Sequence, residues 1–253
     1  MKQPERCGRF CFLRELYYNR LQRFSETNPD RTEKEIAVER MTKKEARQII
    51  TKLREAHPNA KGELVAENPF QLLIATMLSA QTTDKQVNRV TPALFKAYPT
   101  PQELAKAEQS EVEEYIHSIV FFRTKAKNII HTAALLEEEF DGEVPQEISL
   151  LVTLPGVGQK TANVVASNAF GVPAIAVDTH VFRVSNRLGL SASKDVSACE
   201  EDLKRLLDRD VWSEAHHLLI FQGRYVCKAR RPECDRCNLR AHCRYYEASS
   251  CVS

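Results

Sequence analysis

An all-α fold is predicted by three features of this 253-residue chain. Apolar residues recur at helical spacing in short segments, Thr, Asn and Ser cap signals open those segments, and nothing between Thr42 and Tyr246 alternates with period two for long. Composition agrees with a globular protein, 43% hydrophobic and 28% charged. No apolar run approaches the roughly 18 residues of a membrane span, so no membrane partner and a cytoplasmic, nucleoid-associated location are expected. The length allows one large core or two small ones. A formal net charge of +2 neither demands nor excludes a nucleic-acid partner, so the local distribution of charge has to decide.

Residues 1–40 show no sustained periodicity and read as a poorly ordered N-terminal extension without a signal peptide. Thr42 and Glu45 make a capping box ahead of Ile49, Ile50 and Leu53, so the first helix is expected there and Met41 reads as an alternative start. Asn68–Pro69 opens a segment whose Phe70, Leu72, Leu73, Ile74, Met77 and Leu78 are apolar almost all round, the mark of a buried helix. Thr83 with Gln86 and Ser110 with Glu113 read as further capping boxes, and Thr100–Pro101–Glu103 as another helix start. From Arg123 to Phe140 the apolar positions Ala126, Ile129, Ile130, Ala133, Ala134 and Leu136 repeat until Asp141–Gly142 ends them.

The segment Leu154–Pro155–Gly156–Val157–Gly158–Gln159–Lys160–Thr161–Ala162 lies between two short helical patterns, Ile148 to Thr153 and Lys160 to Phe170. So tight a hairpin needs unusual backbone angles, which Gly156 and Gly158 are expected to supply. Their bare N–H groups could approach a phosphate, backed by the positive end of the following helix. A Gly-x-Gly turn alone is weak evidence; framed by helices it reads as a helix-hairpin-helix. Lys160 falls in the first turn, where the dipole disfavours its charge, and a neutral amine is a nucleophile. A solvated helix lysine is the competing reading. Asp178 precedes Thr179–His180–Val181–Phe182, with Val181, Val184 and Leu188 on one face and Gly189 at the end. Such an aspartate is usually a helix cap, yet its second oxygen can still face a cleft.

Four of the eight cysteines, Cys227, Cys234, Cys237 and Cys243, are spaced C-x6-C-x2-C-x5-C. Without a secretory signal, disulfides are disfavoured, and the spacing brings four thiolates within reach of one centre. Zinc and iron–sulfur both accept four cysteines; a single C-x2-C knuckle tilts the reading modestly toward iron–sulfur. Cys7, Cys11, Cys199 and Cys251 are left as free thiols. Around the loop Arg224, Lys228, Arg230, Arg231, Arg236, Arg240 and Arg244 meet only Glu233 and Asp235 along the chain. This is either a solvated charge run or a set of cations held rigidly for phosphates.

In order, the hairpin LPGVGQKTA, the segment VDTHVFRVSNRLG and the cysteine loop resemble the endonuclease III family of DNA glycosylases, from about Met41 to Tyr246. The resemblance implies that Lys160 is a catalytic lysine and Asp178 a catalytic aspartate, acting on damaged double-stranded DNA. An oxidised pyrimidine would be flipped out of the duplex. Lys160 would attack the sugar C1′, and β-elimination from a Schiff base would nick the strand. It also implies a structural [4Fe-4S] cluster on the four cysteines. DNA contacts would come from Gly156, Gly158 and Thr161 at the hairpin and from Lys228, Arg230 and Arg231 near the cluster. Gln81 matches an inserting glutamine and Phe121 an apolar wedge, with a core phenylalanine as the competing reading. The family usually has Gly-Leu-Tyr where Val120–Phe121–Phe122 stand, and an arginine is common in place of Gln159. The implied architecture is a helical barrel at residues 62–172, with the helix-hairpin-helix at about 148–171. A cluster lobe takes 41–61 plus 173–246, 247–253 form a tail, and a monomer suffices. A monofunctional mismatch glycosylase and a non-catalytic DNA-binding or redox-sensing module are the competing functions; Lys160 argues against the first, whose relatives lack it, and Lys160 with Asp178 against the second.

Overall fold

The computed structural model describes residues 41–250, so the readings of residues 1–40 and of the thiols Cys7, Cys11 and Cys251 lie outside the described residues. Contacts divide the chain between Met41 and Thr42, and the elements below belong to the second unit. No strand occurs among the described residues.

Helix α1 (Lys43–Ala56) starts at the expected capping box: the Glu45 N–H donates to Thr42 Oγ1 at 3.2 Å and the Thr42 N–H to Glu45 Oε2 at 2.7 Å. Helix α2 (Pro69–Leu78) is capped by Asn68 and buried on nearly every side. At α3 (Asp84–Ala97) Thr83 accepts the Gln86 N–H, but the box is only half made. The Gln86 amide turns away to Ser118 Oγ at 2.6 Å. Helix α4 (Pro101–Ala105) has the complete Thr100–Glu103 box. Helix α5 (Gln109–Ile116) departs from the expected start: its cap is Glu108, whose carbonyl accepts the Glu111 and Val112 N–H groups, and Ser110 is inside the first turn. Val112 and Ile116 are its buried residues.

Helix α6 (Phe122–Phe140) packs on α4 and α5, and α2 packs on α3, α6 and α8 (Gln159–Phe170), with α7 (Ile148–Leu151) against α8. One core cluster draws its members from residues 70–166, including Leu73, Ile74, Leu78, Ile116, Ile129 and Leu136. Each such fully buried Leu or Ile contributes about 1.5–3 kcal/mol. A second set of contacts joins α9 (Thr179–Leu188) to α10 (Val196–Leu206), α11 (Trp212–Phe221) and α12 (Arg244–Ser250), and α11 to α1. Helix α12 takes up residues 247–250 that the sequence reading left in a tail. The segment Ala174–Val177 is buried as it crosses from α8 to α9, and it brings Lys160 and Asp178 to helices of different packing groups.

Candidate active site

The hairpin between α7 and α8 is fastened to α6 by the Thr132 hydroxyl, which donates to the Pro155 carbonyl at 2.9 Å. Gly156 has φ +79°, and a Cβ there would come within 2.6 Å of Asn128 Nδ2, so conformation and space both demand glycine. Gly158 does not share that demand. At φ −90° and ψ 173° it is extended backbone open to any residue, which corrects the expectation that both glycines supply unusual angles. An added Cβ at Gly158 would meet nothing within 4 Å. What Gly158 leaves is open space before α8, whose start no side chain caps. That is the arrangement in which first-turn N–H groups receive a phosphate.

Lys160 Nζ stands 3.9 Å from Asp178 Oδ2, with side-chain exposures of 58% and 13%. Asp178 Oδ1 accepts both the His180 and the Val181 N–H at 2.8 Å, fixing the carboxylate as the cap of α9 and leaving the second oxygen toward the lysine. An ion pair this long and this exposed adds little to stability. Its chemical content is an amine facing a positioned carboxylate.

Both groups line a cleft of about 610 Å³, within the usual range for a ligand site, and Gln81 and Thr161 line it with them. Its wall also carries Glu63, Asp84, His216 and Arg224. Arg224 pairs with Glu63 and, at 2.8 Å, with Asp84 Oδ2, while Tyr225 donates to Glu63 at 2.7 Å. Arg224 therefore does not belong to an outward-facing basic face. It sits in a π-turn (Gln222–Val226), a local widening of the helix that often marks a functional site.

His216 is buried beneath this wall, its Nδ1 2.7 Å from the Ala176 carbonyl. A carbonyl only accepts, so Nδ1 carries the proton and Nε2 is the ring's free acceptor. Burial, with His217 beside it, pushes the His216 pKa down to about 4. An unfolded chain takes up that proton near the ordinary histidine value, the folded chain only near 4. Stability from this pair of histidines is therefore full above the ordinary value and is lost as pH falls toward 4. Urea unfolding followed between these limits should show that slope, and His216→Gln should reduce it, with His217 retaining the remainder.

Gln81 and Phe121 are non-glycine residues in the left-handed region, at φ 57° and 58°. Such angles in side-chained residues cluster at functional sites. Phe121 is 62% exposed, so it is not a core phenylalanine, and it is not among the residues that line the cleft. Gly156, Gly158, Lys228, Arg230 and Arg231 also lie outside the cleft lining.

Cys227, Cys234, Cys237 and Cys243 are half-buried free thiols that line one separate cavity. Among the described residues no group of three His, Cys, Asp or Glu closes on a point that would hold a single metal ion. The sulfurs instead rim a shared space and receive N–H groups: Arg187 Nη1 reaches Cys227 Sγ at 3.3 Å and Gln222 Nε2 reaches Cys237 Sγ at 3.2 Å. Four soft donors around one cavity, with N–H groups aimed at sulfur, fit a thiolate-held centre, which zinc and iron–sulfur both accept. Arg183 on the same helix holds the Cys227 and Gly223 carbonyls, at 3.1 and 2.9 Å. The basic face expected here is partly answered by acids: Lys228 and Arg236 both pair with Glu233. Arg230 and Arg231 are exposed.

Sequence reasoning passed over several residues of the site. Arg183 and Arg187 were in view as part of VDTHVFRVSNRLG, and their i, i+4 spacing on α9 was the available signal. Lys125 is buried on α6 with Ala126, Ile129 and Ala133; a lysine on an apolar face was the signal there. Glu63 and Asp84 carried none, because they meet Arg224 only through the fold.

Comparison with known proteins finds similarity over most of the chain. A family model described as HhH-GPD superfamily base excision DNA repair protein matches residues 74–209. Endonuclease III of Bacillus subtilis is 50% identical over 196 residues, 77% of this chain and 90% of that protein. Endonuclease III of Escherichia coli K12 is 44% identical over 207 residues, 82% of this chain and 98% of that protein. Among solved structures, a trapped endonuclease III–DNA covalent intermediate in its estranged-adenine complex is similar with a TM-score of 0.79 and 47% identity, covering 83% of this chain and 99% of that one. A non-covalent endonuclease III–DNA complex is equally similar.

Proposed function

The chain belongs to the endonuclease III family within the HhH-GPD base excision repair superfamily, and from that premise we infer that Lys160 is its nucleophile and Asp178 the carboxylate that serves it. It is a DNA glycosylase and AP lyase of base excision repair. The observation that carries the residue assignment is the 3.9 Å approach of Lys160 Nζ to Asp178 Oδ2 in the cleft.

An oxidised pyrimidine is the substrate class we assign, since a poorly stacked base is the cheapest to rotate out of the duplex. Lys160 Nζ bonds to C1′ as the C1′–N bond to the base breaks. Asp178 stabilises the positive charge that develops on the sugar and carries protons between the amine and the departing base. Opening of the sugar ring at the C1′–O4′ bond leaves a Schiff base. Loss of a proton from C2′ then expels the 3′ oxygen with its phosphate, the strand is nicked, and water releases the lysine.

The hairpin amides and the exposed Arg230 and Arg231 grip phosphates, the first through Gly158's open approach to α8. Gln81 occupies the space vacated by the flipped nucleotide while Phe121 parts the neighbouring bases. The four cysteines would hold a [4Fe-4S] cluster that fixes the loop and takes no step in the chemistry. We divide the chain into a barrel lobe at 62–172 and a cluster lobe at 41–61 plus 173–246, a division supported by the two sets of helix contacts. No helix among the described residues is long and apolar enough to cross a membrane, and a cytoplasmic site of action suits a DNA substrate.

The test is chemical capture. Borohydride added during turnover of a thymine glycol duplex should freeze the Schiff base into a covalent protein–DNA complex, and an undamaged duplex should give none. A native chain that excises the base yet is never captured would make it a monofunctional glycosylase.

A further inference from the structure

The loop that carries Gln81 is held from beneath by a lysine. Lys125, in the first turn of α6, is only 8% exposed. Its Nζ donates to the Leu78 carbonyl at 2.8 Å and to the Ala80 carbonyl at 2.5 Å. These oxygens close α2 and begin the loop after it, at the negative end of a helix, where a cation completes the open carbonyls. Burying an amine is unfavourable unless its donors are met, and an apolar side chain of similar length would fill the same space without that cost. Packing alone therefore does not explain a lysine here.

Lys125 is also bonded to the other loop, through its backbone N–H to the Phe121 carbonyl at 3.0 Å. One residue thus touches both the turn that bears Phe121 and the neighbour of Gln81. Two further ties run in parallel. The Val120 N–H donates to Thr82 Oγ1 at 3.3 Å, and the Gln86 amide to Ser118 Oγ at 2.6 Å. Both loop residues are left-handed, a conformation that persists in side-chained residues only where the surroundings hold it.

We propose that Lys125 is a positioning residue for base extrusion: it pins the Gln81 loop to the Phe121 turn, so that both side chains enter the duplex at a fixed separation as one tool. This deepens the reading of Gln81 and Phe121 as inserting groups and rests on it. A pinned pair has no loop to order when DNA arrives, which keeps the insertion step free of that entropy.

The experiment is a double-mutant cycle on the full chain, with Lys125→Met, Gln81→Ala and both together, read by single-turnover base removal from a thymine glycol duplex. Lys125→Met should slow removal by about 10- to 100-fold, the scale of a misplaced group. Adding Gln81→Ala should then slow it less than about twofold further, since residues acting as a unit are not additive. The loss should be larger on the duplex than for cleavage of a single-stranded abasic site, where no base pair is displaced. Hydrogen exchange at the Thr82 amide, bonded to the Ser79 carbonyl at 3.1 Å, should quicken in Lys125→Met while α8 is unchanged.

Multiplying effects of the two substitutions, or full duplex activity in Lys125→Met, would overturn the proposal. A Gln81→Ala chain as fast as the native one would overturn the inserting role itself. Undiminished Thr82 protection in Lys125→Met would remove the lysine's hold and leave the Gln81 reading standing. Should Lys125→Met fail to fold, Thr82→Val cuts the parallel tie outside the core, and additivity of its effect with Gln81→Ala would be just as adverse.

Discussion

Lys160→Gln is expected to abolish borohydride capture and to lower base removal by about 10⁴-fold or more, the scale on which loss of a nucleophile disables an enzyme. Glutamine keeps most of the side chain's reach and polarity but has no amine to bond to C1′. Folding should be nearly untouched. The lysine is 58% exposed and its contact with Asp178 is 3.9 Å long, so the lost pair is worth little. A melting temperature within about 2 °C of the native chain would express that. Binding to the lesion duplex should persist, because the hairpin and the exposed Arg230 and Arg231 are unchanged. Binding, melting and capture measured on one preparation separate the chemistry from the fold. Capture that survives the substitution would move the nucleophile to another side chain and dissolve the role given to Asp178, whose free oxygen has meaning only beside an amine.

A hydroxyl with a carboxylate or amide three residues on marked the neighbourhood of a helix start without settling it. The Thr42–Glu45 and Thr100–Glu103 boxes form in full. Thr83 keeps only half of its box because the Gln86 amide meets Ser118 across the fold, and the helix expected at Ser110 begins at Gln109 with Glu108 as its cap. The candidate site divides along the same line. Lys160 and Asp178 were nominated by the family resemblance; their places beside a hairpin and at a helix start only agreed with it. Arg224 was misplaced on a basic face because its partners Glu63 and Asp84 lie far along the chain. Lys125 was legible only as an oddity, a charge among apolar neighbours, since its acceptors are carbonyls and carbonyls have no sequence. The equation of Gly156 with Gly158 failed because composition does not distinguish a glycine needed for its φ from one that leaves room.

Cys234→Ser is expected to bleach a brown protein and to unfold its C-terminal segment. Between Lys228 and Cys243, Leu239 is the sole buried side chain, and the helical structure there is two three-residue turns, Cys234–Arg236 and Arg240–His242. So little buried surface cannot offset the entropy of ordering the segment. Cluster binding would supply the difference and would thus be folding energy for this region. The damage should travel. Arg183 and Arg187 tie Cys227 and its neighbours to α9, and Asp178 caps the other end of that helix. A loosened loop therefore frees the helix that holds the Asp178 carboxylate toward Lys160. Visible absorbance, iron and sulfide content, and proteolysis of the C-terminal segment should change together, before any assay of activity. Cys199→Ala is the contrast: that thiol is buried away from the loop, with burial pushing its pKa up to about 11, and its loss should leave the colour intact. A colourless native protein carrying stoichiometric zinc would replace the cluster with a simpler ion, and Cys234→Ser would then release zinc in place of iron and sulfide.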